Sequence, residues 1–434
     1  MLRFVNRCVL KPYVRFNSTS VIYNNNTHED YRLRSALEKI TIKLASYPLP
    51  QTTLNDLLRF NSKVITKDTD QMILDNANDT LKDMLALTAK RIRELRSLPY
   101  ICVLNANIGT IYDTYLESLQ LLLKFISDID EDIKLESIQD FTIKDTAHNV
   151  QFNKTLTQIT DLHADNLEIL SKGFEEIAHL RVLKDDRDFL DSHLKERILM
   201  RLICNHHVAL SEQLISNEKS DLIGVVEKNL DVIEIVNRSF EFVNDMCLLK
   251  YDEKISMEID TVILQDDIRI ESHNNDHVNS SPIHFPYISS HLQYIITELL
   301  KNSARAHIEN HVTKPINVTI VANKPYVCNT VGDCHVSNYL EIRIRDLGKG
   351  ITPEVFDKIF QYSYTTFVAN EGEAYKTLNN SGPNANVISG MGYGMPLSKI
   401  YVELFGGDIN VQTYLGWGTD VYVKLTGPDM DLVT

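Results

Sequence analysis

Residues 291–310 read HLQYIITELLKNSARAHIEN, and this stretch decides how the C-terminal half of the chain is interpreted. Its apolar side chains recur at helical spacing, which turns one face of a helix toward a core. Another face of that helix carries Glu298, Asn302 and Arg305 in one line. A carboxylate can accept a proton, an amide oxygen can coordinate Mg²⁺ and a guanidinium can bind an anion, so the set suits phosphate chemistry. Taken alone, an ordinary solvated helix face explains the pattern as well.

Further along the chain, a strand pattern ends in a carboxylate that two glycines follow. Residues 340–345 (LEIRIR) alternate apolar and charged side chains, and residues 346–350 continue as D-L-G-K-G. The glycines allow the backbone to turn tightly beside a ligand, and Asp346 can accept a hydrogen bond from a donor such as an adenine amino group. An ordinary turn is the alternative for this segment in isolation.

A third segment, residues 390–398 (GMGYGMPLS), leads directly into another helix pattern. Glycines at alternate positions before a helix let backbone N–H groups converge on a phosphate at the positive helix end. The polar stretch 369–389 before it could act as a lid over a nucleotide, and the turn 416–420 (GWGTD) enters the last strand pattern. The spacing G-x-G-x-G does not fit the dinucleotide fingerprint, and the sequence contains no P-loop motif.

Length, composition and charge limit the classes of function. With 434 residues, 43% hydrophobic and 24% charged, the chain is large enough for two domains with their own cores. A formal net charge of −15 disfavours sequence-independent binding to nucleic acid or to an anionic membrane surface. No apolar run approaches the roughly 20 residues that a membrane span requires. We therefore expect proteins or small molecules as partners.

The first 28 residues differ in composition from the rest of the chain. They contain Arg3, Arg7, Lys11 and Arg15 and no Asp or Glu. This composition is typical of a mitochondrial presequence, and a disordered tail is the alternative. Residues 31–250 carry few glycines and show the period of long amphipathic helices, which favours an antiparallel bundle. After residue 251 the period becomes two, which predicts a sheet with helices on one face.

The order of these motifs carries more information than any one of them. Helix E-x-x-x-N, D-x-G-x-G, Y-S-Y-T-T over residues 362–366, G-x-G-x-G and G-T-D follow each other as in the Bergerat-type (GHKL) ATP-binding domain of histidine kinases and DNA gyrase. More closely, residues 298–306, 364–366, 392–398 and 405–408 resemble the mitochondrial 2-oxoacid dehydrogenase kinases, and within them the fungal pyruvate dehydrogenase kinases.

The resemblance implies an N-terminal antiparallel helical bundle followed by a Bergerat-type α/β sandwich. It implies a protein-serine kinase of the mitochondrial matrix, which uses ATP and Mg²⁺ to phosphorylate and inactivate the E1α subunit of the pyruvate dehydrogenase complex. The lipoyl domain of the E2 core as docking partner and a homodimer are implied in the same way. The predicted domains are a presequence (1–28), a regulatory and lipoyl-docking bundle (29–250), an ATP-binding kinase domain (251–428) and a tail (429–434).

Carried over to this sequence, the family's roles fall on named positions. The resemblance implies that Asn302 ligates Mg²⁺, that Asp346 binds the adenine amino group and that Glu298 is the general base for a substrate serine hydroxyl. Phosphoryl transfer needs in-line positioning, charge neutralisation and a carboxylate near the nucleophile, which agrees with these roles. The other implied nucleotide contacts are Arg305, Gly348, Gly350, Thr365, Thr366, Gly390, Met391, Gly392, Tyr393, Gly394, Met395 and Thr419.

Three features depart from the family pattern. Lys349 stands where the family often has a further glycine. Tyr294 lies one helical turn before Glu298, where many members carry a histidine that is thought to hydrogen-bond the base. The last eight residues lack the Asp-Trp pair of several animal members. The tuning of Glu298 and any exchange of the tail between subunits therefore stay open.

Two alternatives to the pyruvate dehydrogenase kinase remain open from the sequence. One is a kinase of the branched-chain 2-oxoacid dehydrogenase complex, and the other is an ATP-bound regulator without transfer activity. Autophosphorylation on histidine is disfavoured, because His207 lies on a helical stretch without the acid and proline that follow a phosphoacceptor histidine. We expect His206 and His207 to be partly buried residues of the bundle.

Overall fold

The computed structural model describes residues 27–49, 52–59, 69–131, 133, 135–178, 186–216, 221–265, 268–273, 283–323, 339–364, 392–429 and 432. They divide into two compact units. The first holds the described residues of Met1–Gln51, Lys67–Asp186 and Leu199–Asn217, and the second holds those of Thr52–Thr66, Arg187–Ile198 and Glu218–Thr434. Nearly all of the predicted presequence and most of the predicted tail lie outside the described residues.

Among the described residues, helices dominate the first unit and all strands lie in the second. The α-helices are α1 (Thr27–Leu44), α2 (Leu54–Leu58), α3 (Thr69–Ser97), α4 (Tyr100–Val103), α5 (Ala106–Ile129), α6 (Thr146–Leu162), α7 (Asn166–Ala178), α8 (Asp186–Ser216), α9 (Val232–Tyr251), α10 (Ser289–Glu309), α11 (Pro353–Phe356) and α12 (Gly394–Glu403), with a 3₁₀ helix at Leu135–Asp140. Within the described part of the chain, none of the helices has the length and apolar character needed to cross a membrane.

The strands form two sheets in the second unit. They are β1 (Leu222–Ile223), β2 (Val226–Asp231), β3 (Met257–Gln265), β4 (Ile268–His273), β5 (His284–Tyr287), β6 (Ile316–Asn323), β7 (Tyr339–Asp346), β8 (Asp408–Tyr414) and β9 (Gly418–Thr426). The small sheet has the order β1-β2-β5, and the large sheet has the order β4-β3-β6-β7-β9-β8. In the large sheet β3 and β6 are parallel, and the other neighbours are antiparallel.

In the first unit, α3, α6 and α7 all pack against α5. Apolar side chains three or four positions apart are buried along the whole length of α5, as its period predicts. The helix begins where the Asn105 side chain accepts hydrogen bonds from the N–H groups of Asn107 and Ile108. The predicted helical region is confirmed.

In the second unit, α10 and α12 pack against the large sheet, α10 on β7 and α12 on β8 and β9. The alternation in β7 explains this layer, because Leu340, Ile342 and Ile344 are almost fully buried while the residues between them are partly exposed. The predicted α/β sandwich is confirmed, and Asp346 is the last residue of β7, an interior strand of the large sheet.

The second unit begins earlier in the chain than the change of sequence period indicates. The sequence analysis places residues up to 250 in the bundle, whereas α9 packs on α10 and belongs to the second unit. The first turns of α8, residues 187–198, also belong to that unit. A helix that packs on a bundle and a helix that packs on an α/β domain show the same apolar period. The sequence pattern of α9 therefore does not reveal to which unit the helix belongs.

A buried polar network joins three helices of the first unit around His207. The Asn76 amide nitrogen lies 2.8 Å from His207 Nδ1, and His207 Nε2 lies 3.0 Å from Asn149 Oδ1. An amide N–H donates to Nδ1 and an amide oxygen accepts from Nε2–H, so these partners fit the neutral ring. Burial, followed by the neighbouring His206, lowers the pKa of His207 to about 3. His206 and His207 are buried bundle residues, as predicted.

We expect this network to make the protein less stable in acid. A histidine whose folded pKa lies below its unfolded value stabilises the fold above about pH 6.5, and that contribution is lost as the pH falls below it. Urea unfolding at pH 7.5 and pH 5.0 measures the effect, for which we expect about 2 kcal/mol from His207. His207→Gln should be less stable at pH 7.5 and lose less on acidification. His148→Gln, on the partly exposed start of α6, is the control, and an unchanged acid loss in His207→Gln would contradict the assignment.

Candidate active site

The carboxylate of Glu298 is buried on α10 although the residue is acidic, with only 6% of it exposed. Its Oε1 accepts from Lys301 Nζ at 2.6 Å, and the lysine side chain is itself mostly buried. Burying a charge is costly unless it is paired and hydrogen-bonded, so Lys301 accounts for the position of this carboxylate. Lys301 is not among the site residues predicted from the sequence. The signal was present, because residues three apart on a helix are neighbours.

The other oxygen of Glu298 faces the first turn of α12. A Cβ atom placed on Gly394, the first residue of α12, would lie 2.4 Å from Glu298 Oε2. A side chain at this position would displace the carboxylate from its observed place. The first N–H groups of a helix have no partner within it and carry partial positive charge, so this helix end favours an anion. The structure thus brings the predicted base and one predicted phosphate-binding glycine together.

The residues before Gly394 lie against the segment that ends at Tyr364. Gly392 has a φ of 74°, and a Cβ there would lie 2.6 Å from both the nitrogen and the oxygen of Tyr364. Tyr393 is fully buried, and its ring centroid lies 5.3 Å from that of Tyr362. Met395 follows on the first turn of α12. The predicted site residues Thr365, Thr366, Gly390 and Met391 lie outside the described residues.

Asp346 forms a second buried acidic position at the end of β7. Its Oδ1 accepts from the backbone N–H groups of Gly348 at 2.9 Å and Thr419 at 3.2 Å. Both bonds end on one oxygen, so Oδ2 retains acceptor capacity for a ligand. The pKa of Asp346 is raised to about 6, because burial, with a small contribution from the charge of Asp420, outweighs the lowering by the two N–H bonds. At neutral pH the side chain is a carboxylate that can accept from an amino group.

The turn after Asp346 is held from two sides. His307 on α10 accepts from the N–H of Leu347 at 3.0 Å, and burial lowers the pKa of His307, which keeps it a neutral acceptor. A Cβ on Gly348 would lie 3.0 Å from the Ala306 Cβ, so this turn lies directly on α10. Gly350 has a φ of 76°, and a Cβ there would lie 2.4 Å from the Tyr414 carbonyl oxygen. The contacts of this turn with α10 on one side and with Tyr414 on the other were not predicted.

Lys349 fits the turn without strain. Positive φ values among described non-glycine residues occur at Asp252, His311 and Ser363, and Lys349 is not one of them. Its side chain is exposed, and its carbonyl oxygen accepts from the N–H of Gly416 at 2.8 Å. The lysine therefore replaces the family's glycine at a position where a side chain is tolerated.

Asn302 and Arg305 differ in their surroundings although they share a helix face with Glu298. Asn302 is exposed one turn beyond Glu298, so its amide can reach a ligand. Arg305 Nε lies 2.5 Å from Glu309 Oε1, an ion pair along the outside of α10. The structure gives Asn302 the access that a metal ligand needs and pairs Arg305 with the Glu309 carboxylate.

Tyr294 does not take the place of the family's histidine as a hydrogen-bond partner of Glu298. Its hydroxyl is buried without a hydrogen-bond partner among the described residues, and its ring packs on Tyr401 at 4.9 Å between centroids. Burial raises its pKa first, and the charges of Glu298 and Tyr401 raise it further. In this structure Lys301 is the residue that holds the carboxylate.

ATP and Mg²⁺ fit these residues. Asp346 presents a buried acceptor to an amino group, the start of α12 favours phosphate, and Asn302 offers an amide oxygen to a divalent cation. No group of three His, Cys, Asp or Glu side chains able to hold a metal occurs among the described residues. Mg²⁺ usually binds through one or two protein oxygens together with substrate phosphates, and Asn302 would supply such an oxygen here.

Comparisons with known proteins agree with this geometry. Residues 51–227 match the family described as mitochondrial branched-chain alpha-ketoacid dehydrogenase kinase, and residues 288–428 match the histidine kinase-, DNA gyrase B-, and HSP90-like ATPases. Over 404 residues the chain is 32% identical to the [pyruvate dehydrogenase (acetyl-transferring)] kinase 1, mitochondrial, of Saccharomyces cerevisiae, covering 92% of this chain and 90% of that protein. The chain belongs to the mitochondrial 2-oxoacid dehydrogenase kinase family.

Animal members of this kinase family are also similar over most of the chain. Isozyme 4 of the [pyruvate dehydrogenase (acetyl-transferring)] kinase of Rattus norvegicus is 26% identical over 346 residues, 78% of this chain and 73% of that protein. Isozyme 1 of Homo sapiens is 25% identical over 350 residues, 79% of this chain and 71% of that protein. The resemblance predicted from the motifs is confirmed, including the greater similarity to the fungal relative. Glu298, Asn302 and Asp346 all lie within the matched ATPase region.

We predict that Asp346→Asn weakens ATP binding about tenfold or more, because the amide would present N–H groups where the adenine amino group also donates. Trp417, the single tryptophan, lies in the turn that is hydrogen-bonded to Lys349, so its fluorescence can follow an ATP titration. In the parent protein, affinity should fall as the pH drops below about 6, where Asp346 gains a proton, and the variant should lack this dependence. The exposed Asp408→Asn is the control; equal affinities of Asp346→Asn and parent would exclude the adenine contact.

Proposed function

We propose that this chain is an ATP-dependent protein-serine kinase that phosphorylates and inactivates the E1α subunit of the mitochondrial pyruvate dehydrogenase complex. One observation carries the proposal: the buried carboxylate of Glu298 lies directly against the first residue of α12. A proton acceptor beside an anion-favouring helix end is the arrangement that transfer of a phosphoryl group to a hydroxyl requires. The names of the relatives support the choice of substrate.

The chain's own residues take distinct roles in this proposal. Asp346 and Thr419 bind the adenine end, while Gly392, Gly394 and the start of α12 bind the phosphates. Asn302 would hold Mg²⁺, which neutralises phosphate charge when bound. The remaining nucleotide positions, Gly348, Gly350, Tyr393, Met395, Arg305 and the undescribed Thr365, Thr366, Gly390 and Met391, stay part of the proposal.

Glu298 performs the proton transfer. Lys301 holds Oε1, and Oε2 on the side of α12 takes the proton of the serine hydroxyl as the serine oxygen bonds to the γ-phosphorus. The bond from that phosphorus to the bridging oxygen breaks, and ADP leaves with the electron pair. A fixed lysine restricts the carboxylate to one orientation, so the acceptor oxygen is preorganised.

The proposal extends to location and partners. The basic and acid-free first 28 residues support import into the mitochondrial matrix. We infer docking of the helical region that precedes α9 on the lipoyl domain of the E2 core, and a homodimer, because the chain belongs to this kinase family. A presequence at 1–28, a kinase domain that combines α9 with residues 251–428, and a tail at 429–434 complete the proposed organisation.

The substrate can be identified by direct labelling. Incubation with [γ-³²P]ATP and either purified pyruvate dehydrogenase or purified branched-chain 2-oxoacid dehydrogenase complex should label E1α of the first and reduce its activity. Label on the branched-chain E1α alone would favour the alternative substrate. The branched-chain complex is included because residues 51–227 match the family described by that complex's kinase. ATP binding without label on either complex would indicate a regulator without transfer activity.

We predict that Glu298→Gln retains ATP binding and loses transfer to E1α by about 10² to 10⁴-fold, the usual contribution of a general base. Glutamine keeps the volume beside Gly394 and an acceptor for Lys301, so folding should be preserved. Label transfer and Trp417 fluorescence measure the two properties separately. Glu403→Gln, at the exposed end of α12, is the matched control. Equal transfer by Glu298→Gln and parent would refute the role of base.

A further inference from the structure

Helix α8 contributes a carboxylate to the second unit. Residues 187–198 of this helix belong to that unit, and Asp191 lies in its second turn. Arg187, one turn earlier, approaches Asp191 Oδ2 with its Nε at 3.7 Å. The ion pair occupies one oxygen and leaves Oδ1 free to accept from another residue.

Tyr362 supplies that donor. Its hydroxyl donates a hydrogen bond to Asp191 Oδ1 across 171 positions of sequence. Tyr362 lies in the segment that follows the D-x-G-x-G turn, two residues before Tyr364. Burial raises the pKa of Tyr362 first, and the Asp191 bond adds to it, so the hydroxyl remains a donor at neutral pH. This bond fixes the last described turn before residue 365 to α8.

The ring of Tyr362 then contacts Tyr393, the residue directly before α12. It packs on Tyr393 at 5.3 Å between centroids, and Tyr393 is fully buried in the position that caps α12. On one side of Tyr393, Gly392 lies against the backbone of Tyr364. On the other side, Gly394 lies against Glu298 Oε2. Tyr393 therefore cannot shift without moving the helix start relative to the carboxylate.

We propose that Asp191 and Tyr362 are positioning residues for phosphoryl transfer, which hold Tyr393 and the start of α12 against Glu298. Neither residue contacts the reacting atoms. They set the distance between the anion-binding helix end and the proton acceptor, a geometry on which transfer depends steeply. The inference deepens the proposed kinase function and rests on it.

The test compares Tyr362→Phe, Asp191→Ala and the double variant in the full-length protein. We expect each single variant to reduce kcat for labelling of E1α about tenfold, with a smaller rise in the KM for ATP. If both residues act through one hydrogen bond, kcat of the double variant should be no lower than kcat of the less active single variant. Asp191→Asn keeps an oxygen acceptor and should recover most of the activity.

Stability separates positioning from a merely structural role. The melting temperature of the nucleotide-free variants should stay near that of the parent, while the increase that ATP produces becomes smaller. Tyr422→Phe, which removes a hydroxyl 3.5 Å from Asp420 Oδ2 on β9, is the matched control and should change nothing. A structural role would lower the melting temperature and leave kcat of the folded protein unchanged.

Two outcomes would overturn the inference. One is a kcat and an ATP affinity of Tyr362→Phe and Asp191→Ala within twofold of the parent. The other is strictly additive losses in the double variant, because independent residues add and bonded partners do not. A parent protein that shows no ATP-dependent change in Trp417 fluorescence and no labelling would instead refute the proposed function, so the two failures are distinguishable.

Discussion

The site depends on the burial of one carboxylate between a lysine and a glycine. Glu298 is costly to bury, and Lys301 on one oxygen and the start of α12 near the other offset that cost. The same two contacts give the acid the single orientation on which the proposed proton transfer relies. Helices α10 and α12 also pack on the large sheet, so the apolar core fixes the distance between them. The position of the carboxylate is therefore set by helix packing and not by a flexible loop.

The position of Asp346 in the site depends on strand register. Asp346 pairs with Thr419 where β7 meets β9, and this pairing lets the Thr419 N–H donate to the carboxylate. A slip of one residue would turn Asp346 to the opposite face of the sheet. The buried alternation of Leu340, Ile342 and Ile344 prevents such a slip, so the core residues of β7 determine the direction of its last side chain.

The sequence predicted the elements of the site and missed the contacts between them. Period and glycine spacing predicted the helix of Glu298, the strand of Asp346 and the turn before α12, because these are local properties. The His307 bond to Leu347 and the Asp191 bond to Tyr362 join residues 40 and 171 positions apart, and no local pattern encodes such pairs. The assignment of α9 to the bundle failed for a related reason, since an apolar stripe does not specify its neighbour.

The two glycines Gly350 and Gly418 have a consequence for inhibitors. A Cβ at Gly350 would lie 2.4 Å from the Tyr414 carbonyl oxygen, and one at Gly418 would lie 2.1 Å from that of Asp346. At these two glycines main chain lies directly against main chain, so a residue with a Cβ at either position would collide with it. Resistance to a compound that binds against these glycines could therefore not arise by substituting either of them without disturbing the fold.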